Sequence, residues 1–425
     1  MMRLLLEYRI GDPGKYAALA EKAALRAEEA HAWHNARLYW DVKARWHALE
    51  KNTEGQRSAR LAIAETYVKA SEDALRGANP NHFVAWSHLR SAIDILRTIP
   101  QTRERVADLH KLVLEYQRVS RSEMKSVFIP LGEVAGMTEL SERAREAVKG
   151  KSLRDALFAL ACMGSSPQVD TLRRRVQELA KQFPFQHLIV EEDLNELGKV
   201  VGRRPSMLSG TGTAAEEFVR AEMFKQALLD QQLQAFGIVE PAREQINLEH
   251  HVRIHDLLPL VISNPFVPEG HEMIYARGLH AGLTGDFLVA THLLAPQLEN
   301  SIRYLLSQEG TIVSKLTSQG IQNERDLNTL FKEYRTELVT LFGKDLAFDI
   351  EGLLVEHFGS NLRNEIAHGL MSYDKFISLQ SSYLWWLTLR LCFPEIRRAL
   401  VEEDREETPS PEERTREAES DIDKS

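Results

Sequence analysis

Apolar positions recur at three- and four-residue spacing along most of the chain, the period of a helix turned toward a core. In 31–52, "HAWHNARLYWDVKARWHALEKN", Leu38, Tyr39, Val42, Trp46 and Leu49 form one stripe and Trp33, Ala36, Trp40 and Ala44 a second. A helix apolar on two sides is expected to lie sandwiched between neighbours. Segments 82–99 and 103–119 continue the style, with the turn signals "GANPN" and "IPQT" ahead of them. No clean 34-residue repeat emerges, so the first 122 residues are expected to form an irregular helical stack. From 123 to 263 the period stays helical but is more broken. There "SEMKSVFIPLGEVAGMT" (122–138) reads as a boundary and "VVGRRPSMLSGTGTAAEE" (200–217) as a mobile loop near 200–215. Helical periodicity resumes over 264–400. The expected fold is all-α: an N-terminal helical stack (1–122), a helical middle region (123–263) and a C-terminal helical bundle (264–400).

A length of 425 residues allows two or three domains with cores of their own, and 43% hydrophobic with 27% charged residues is an ordinary globular balance. Two cysteines, Cys162 and Cys392, supply neither a disulfide framework nor zinc-ligand spacing, which fits a reducing compartment, and a cytoplasmic location is expected. No run approaches the roughly 20 apolar residues of a spanning helix, and the nearest, "YLWWLTLRLCF", carries Arg390. The net charge of −9 is concentrated at one end. Residues 402–425 hold eleven acids against four bases, −7 in total, in a polar, proline-containing stretch expected to be a disordered acidic tail (401–425). Residues 1–122 carry twenty Lys plus Arg against fifteen Asp plus Glu, an excess that suits an acidic partner or an ordinary solvated helical surface.

Two stretches imitate binding motifs. Gly210-Thr211-Gly212 resembles a phosphate-binding turn, but no buried strand is expected before it and Glu216 and Glu217 open the following helix, where they would face the phosphate. His251 and His255 stand four apart, at metal-ligand spacing if the segment is helical, yet no third ligand accompanies them. No metal and no cofactor are expected.

The third stretch is harder to explain structurally. "NLRNEIAHG" (361–369) places Leu362, Ile366 and Leu370 on one helical side, with Asn364 and His368 sharing a face about 160° away from that stripe. Arg363 sits on the flank, about 140° from His368, so its side chain must curl, or act from a second copy, to meet the same ligand. A histidine near a helix C-terminus followed by glycine is ordinary capping chemistry. That accounts for "HG" and leaves Arg363 and Asn364 without a structural purpose.

"RNEIAHG" resembles the R-N-x-x-x-H-G signature of a domain in the HEPN superfamily, a domain also found in the endoplasmic reticulum membrane-associated RNA degradation proteins. The segment 264–306, including "GDFLVATHLLAPQLENSIR", and the closing "YLWWLTLRL" (383–391) are similar to the flanks of the motif in that family, so the resemblance covers about 264–395. It implies a helical bundle that often dimerises and, in many members, cuts RNA without a metal, sometimes as a stress or antiviral defence effector. The catalytic residues would be Arg363, Asn364 and His368. Such a ribonuclease drives the ribose 2′-OH onto the adjacent phosphate, which requires a base, an acid for the leaving 5′-oxygen, and positive charge on the phosphorane. His368 suits the proton work, Arg363 the phosphate, and Asn364 either the His368 tautomer or a phosphate oxygen. One histidine is poorly placed to be acid and base at once, so a homodimer joining two motifs is expected.

In the helix expected over 286–307, Leu294, Leu298 and Ile302 mark the core side, with His292, Pro296, Glu299 and Arg303 opposite. Glu299 and Arg303 read first as an exposed i,i+4 pair, and the sharper reading has Glu299 orienting Arg363 or His368, with His292 and Arg303 as further substrate-binding candidates. Trp385 and Trp386 read as core or dimer surface rather than base-stacking platforms. The rival to an RNA-cutting enzyme is a non-catalytic HEPN module that binds nucleotide or RNA on a helical protein-interaction scaffold. A group-transfer partner is disfavoured, because no nucleotidyltransferase-type Gly-Ser with paired aspartates is present.

Overall fold

The computed structural model describes residues 5–6, 8, 10–76, 79–123, 136–183, 191–194, 200–204, 213–316 and 319–407. The fold is all-α, as the periodicity predicts, with a few strands of three to five residues. It divides into two compact units, one of residues 1–127 with 194–201, the other of 128–193 with 202–425.

The first unit contains α1 (Pro13–Glu29), α2 (Trp33–Leu49), α3 (Thr53–Ala74), α4 (His82–Leu96) and α5 (Arg103–Glu123), each packed on the next. Their starts are written in the sequence. Asp12, Asn52 and Asn81 are N-caps whose side chains accept from the N–H of Lys15, Gly55 and Val84, and Pro13 occupies the first turn of α1. α2 buries Ala36, Trp40 and Ala44 as well as Val42 and Trp46, the two-sided burial expected of a helix with α1 and α3 as neighbours.

The second unit holds α6 (Met137–Val148), α7 (Leu153–Cys162), α8 (Val169–Gln182) and α9 (Thr213–Gln234), and the residues of strands β1 (Glu191–Leu194) and β2 (Val200–Arg204) are divided between the two units. α9 continues through a π-helical turn, Ala235–Val239, into α10 (Glu240–Glu249). Then follow α11 (Leu258–Val261), α12 (Glu272–Leu283), α13 (Phe287–Gln308), the antiparallel hairpin β3 (Ser314–Leu316) and β4 (Gln322–Glu324), α14 (Leu327–Glu333), α15 (Arg335–Phe342), α16 (Lys344–Leu354), α17 (Leu362–Ala367), α18 (Tyr373–Phe376), α19 (Leu379–Leu391) and α20 (Pro394–Glu407). One hydrophobic core runs from Ala144 to Ile396. The boundary expected at 263/264 is therefore not a boundary of packing, because helices of the middle region complete the core of the C-terminal bundle.

α19 explains why. Every residue from Ser381 to Leu391 is buried, with α7, α9, α12 and α13 packed around the helix, so an all-round apolar helix sits at the centre of the unit. Trp385 donates to the Leu279 carbonyl at 2.8 Å and Trp386 to the Leu160 carbonyl at 3.0 Å, which satisfies both indoles inside the core. Trp385 lies against the bare backbone of Gly282, where an added Cβ would meet its ring at 2.1 Å. The two tryptophans are core, and the dimer surface expected from this helix is excluded because the chain buries it itself.

Three other expectations change. His251 and His255 do not share a helical face: α10 stops at Glu249, and His255 lies in a 3₁₀ turn, Ile254–Leu257, whose preceding Arg253 N–H donates to Asp256. The loop expected near 200–215 opens as β2 and closes as α9; residues 205–212, with the Gly210–Gly212 turn, lie outside the described residues. α20 runs to Glu407, into the acidic tail, whose residues 408–425 also lie outside them.

The core of this unit contains one carboxyl with a marked pH signature. Asp349 on α16 is fully buried, accepts from Tyr383 Oη and Gln231 Nε2 at 2.7 Å each, and is pushed up to about 6 by desolvation, which outweighs those hydrogen bonds. The folded carboxyl keeps its proton to a higher pH than the unfolded one. Its contribution to stability is thus complete below about pH 4 and is lost as the pH rises through 6, a change of about 3 kcal/mol. Urea denaturation at pH 4 and pH 7 is expected to show a stability loss smaller by roughly that amount in Asp349→Asn than in the parent. Equal losses in the two proteins would refute the assignment.

Candidate functional site

α17 is a single short helix held at both ends by left-handed residues. Asn361 (φ 51°) precedes it, a conformation that asparagine tolerates better than most residues. At its C-terminus, Gly369 (φ 62°) donates to the Ile366 carbonyl and Leu370 to the Glu365 carbonyl, the paired bonds of a Schellman closure. This cap turns the chain away after one and a half turns. Leu362 is buried and Ile366 half-buried as expected, but Leu370 is 45% exposed because it lies beyond the cap, and the apolar stripe expected to include it ends at Ile366.

The structure brings Arg363, Asn364, Glu299 and Arg303 into one network. Arg363 Nε donates to Glu299 Oε2 at 2.6 Å and Nη2 to Glu299 Oε1 at 3.1 Å, a bidentate fork on one carboxylate. Its Nη1 donates to Asn364 Oδ1 at 3.0 Å, so the side chain curls along its own helix. Glu299 Oε1 also accepts from Arg303 Nη2 at 2.8 Å, and Arg303 reaches the Arg325 carbonyl at 3.1 Å. Glu299 is only 8% exposed. The exposed-pair reading of Glu299 and Arg303 is therefore corrected: α17 covers the side of α13 opposite its apolar stripe, and the carboxylate lies between two guanidinium groups. At the neighbouring N-cap, Asp326 is held below the usual carboxylate range first by the Thr329 N–H, with Arg363 and Arg303 acting in the same direction.

Asn364 does not bond the His368 ring. Its amide nitrogen donates to Asn361 Oδ1 at 2.7 Å and to the Val355 carbonyl at 3.3 Å, while its oxygen serves Arg363. The tautomer-fixing role considered for it has no geometric basis, and its position against Arg363 remains. His368 is exposed at the end of α17, and its ring makes no hydrogen bond or ion pair among the described residues. His292 lies apart: its Nδ1 sits 2.8 Å from the Leu288 carbonyl and its ring stacks on Phe376 at 4.5 Å, with no bond to Arg363, Asn364 or His368.

Sequence reasoning missed Asn361, which links Asn364 to the His357 ring (Asn361 Nδ2 to His357 Nδ1, 3.2 Å) and sets the start of the helix. The visible signal was an asparagine directly ahead of a short apolar period. Among the described residues, no group of three or more His, Cys, Asp or Glu is arranged to hold a metal ion, and no helix is long and apolar enough to cross a membrane. No family model, curated protein or solved structure matches the chain.

Proposed function

We propose that the chain is a metal-independent endoribonuclease of HEPN type. The observation that carries this reading is the pairing of a guanidinium pre-oriented by Glu299 and Asn364 with an exposed imidazole, unbonded among the described residues, at the end of the same short helix. In this scheme an imidazole takes the 2′-OH proton, O2′ attacks phosphorus, the P–O5′ bond breaks and O5′ receives a proton, leaving a 2′,3′-cyclic phosphate and a 5′-hydroxyl. Arg363 retains N–H donors beyond those spent on Glu299 and Asn364, and these meet the charge of the phosphorane. A second copy of the chain supplies the second imidazole. Leu370, Tyr373 and Ile377, exposed directly after His368, are the apolar residues available for that contact.

Incubation of the purified protein with total RNA in excess chelator is the test. Cleavage is expected to persist, with 3′ ends that resist ligation until the cyclic phosphate is opened and the remaining phosphate removed. Activity abolished by chelator and restored by magnesium, or products with free 3′-hydroxyls, would sink the proposal. A second reading, a non-catalytic HEPN module that binds RNA or nucleotide, draws support from the same fork: the bidentate edge of Arg363 is already occupied by Glu299. Binding of RNA with no cleavage by the parent protein would select it.

A further inference from the structure

In the first unit, two arginines one turn apart on α3 face a common cleft in which no carboxylate is bonded to either of them. Arg57 Nη2 donates to the Pro100 carbonyl at 3.1 Å and to Gln101 Oε1 at 3.3 Å, and Arg60 Nη2 donates to Thr98 Oγ1 at 2.8 Å. All three acceptors are neutral. Among the described residues neither guanidinium is bonded to a carboxylate, and the Nε and Nη1 donors of both are unspent. Like charges at this helical spacing repel one another weakly where solvent reaches them, and an anion held between them relieves that repulsion. Both residues line an open surface cleft of about 470 Å³ between the first turns of α3 and the turn joining α4 to α5. That turn carries Gln101 in a left-handed conformation (φ 63°), and it delivers the carbonyl and amide oxygens that aim Arg57. Glu54 also lines the mouth, without a hydrogen bond to either arginine; its charge sits in the first turn of α3, where the helix dipole favours it.

We propose that this cleft binds a small phosphate monoester. Two guanidinium forks match a dianion: a monoester carries close to two charges at neutral pH, whereas a diester carries one. The hydroxyl of Thr53 adds a donor of the kind phosphate oxygens accept, whereas that of Thr98 is spent on the Ile95 carbonyl and serves to hold Arg60. The cleft is much larger than a phosphate group, and Ile99 with Pro100 gives the remainder an apolar wall for the organic part of the ester. The site lies in a different unit from α17, and it stands whether or not the chain cuts RNA.

The test titrates phenyl phosphate, inorganic phosphate and dimethyl phosphate into the full-length protein, with binding read by phosphorus NMR line broadening and by calorimetry. Saturable binding is expected for phenyl phosphate, weaker binding for inorganic phosphate and none for dimethyl phosphate at the same concentration. Arg57→Gln and Arg60→Gln are each expected to weaken phenyl phosphate binding about tenfold, the scale of a lost charge-assisted contact. Phenyl phosphate that fails to bind at millimolar concentration would overturn the proposal, as would equal affinity for dimethyl phosphate or undiminished binding by the double variant. The comparison of monoester with diester uses the parent protein alone, so the result does not depend on how the variants fold.

Discussion

Replacing Glu299 with alanine is expected to lower the unfolding free energy by about 3 kcal/mol, one of the two largest effects anticipated here. The loss does not come mainly from the removed attraction. It comes from two guanidinium groups, Arg363 and Arg303, left largely buried with side-chain exposures of 22% and 17% and no carboxylate between them. Arg303 keeps the Arg325 carbonyl and its ion pair with Glu324 at 3.3 Å, and Arg363 keeps Asn364, so the cost stays below that of two fully isolated charges. Glu299→Gln preserves the volume and one acceptor oxygen and removes the charge, so about half the loss is expected. Urea denaturation of the three proteins at pH 7 measures both steps. A loss below about 1 kcal/mol for Glu299→Ala would mean the network behaves as an ordinary surface ion pair, the value expected when solvent screens both partners.

The same residue shows where sequence periodicity stops being informative. Helical spacing correctly assigned Leu294, Leu298 and Ile302 to the core side of α13, since all three are buried. It placed Glu299 opposite them and therefore in solvent. Periodicity reports which face is apolar; it does not report that a later, short helix will cover the polar face with an arginine. That requires knowledge of a contact between residues 299 and 363, separated by 64 positions. Leu370 failed for a different reason. Its spacing from Leu362 and Ile366 fits an apolar stripe, but the left-handed Gly369 ends the helix first, and the glycine was the readable signal. The histidine pair at 251 and 255 failed the same way, since its shared face existed only if the segment was one continuous helix. α19 was read correctly as apolar all round, and its tryptophans as core or interface. Choosing between those two required the packing of α7, α9 and α12 around it, helices drawn largely from the region taken as a separate middle domain. The motif itself was legible as a cluster of types. Which of its members touch was not: Arg363 meets Asn364 and Glu299, whereas His368 stands free.

That freedom makes alanine at His368 the sharpest functional variant. The ring is exposed and makes no hydrogen bond or ion pair among the described residues, and the closure of α17 depends on the backbone N–H groups of Gly369 and Leu370 rather than on the imidazole. His368→Ala is therefore expected to leave the unfolding free energy from urea denaturation within the range of ordinary surface substitutions, about 0.5 kcal/mol. If the proposed chemistry holds, the same variant slows RNA cleavage by at least about 10²-fold, the usual contribution of a positioned proton-transfer group. Arg363→Ala is expected to slow cleavage comparably, but its stability also falls, because Glu299 then loses one of its two guanidinium partners. The contrast matters more than either number. A residue that acts in the chemical step separates rate from stability, and a residue kept as a helix cap does not. Cleavage at the parental rate in His368→Ala would remove it from the mechanism. A fall in stability of 2 kcal/mol or so without a larger loss of rate would return "HG" to the role of a simple helix terminus.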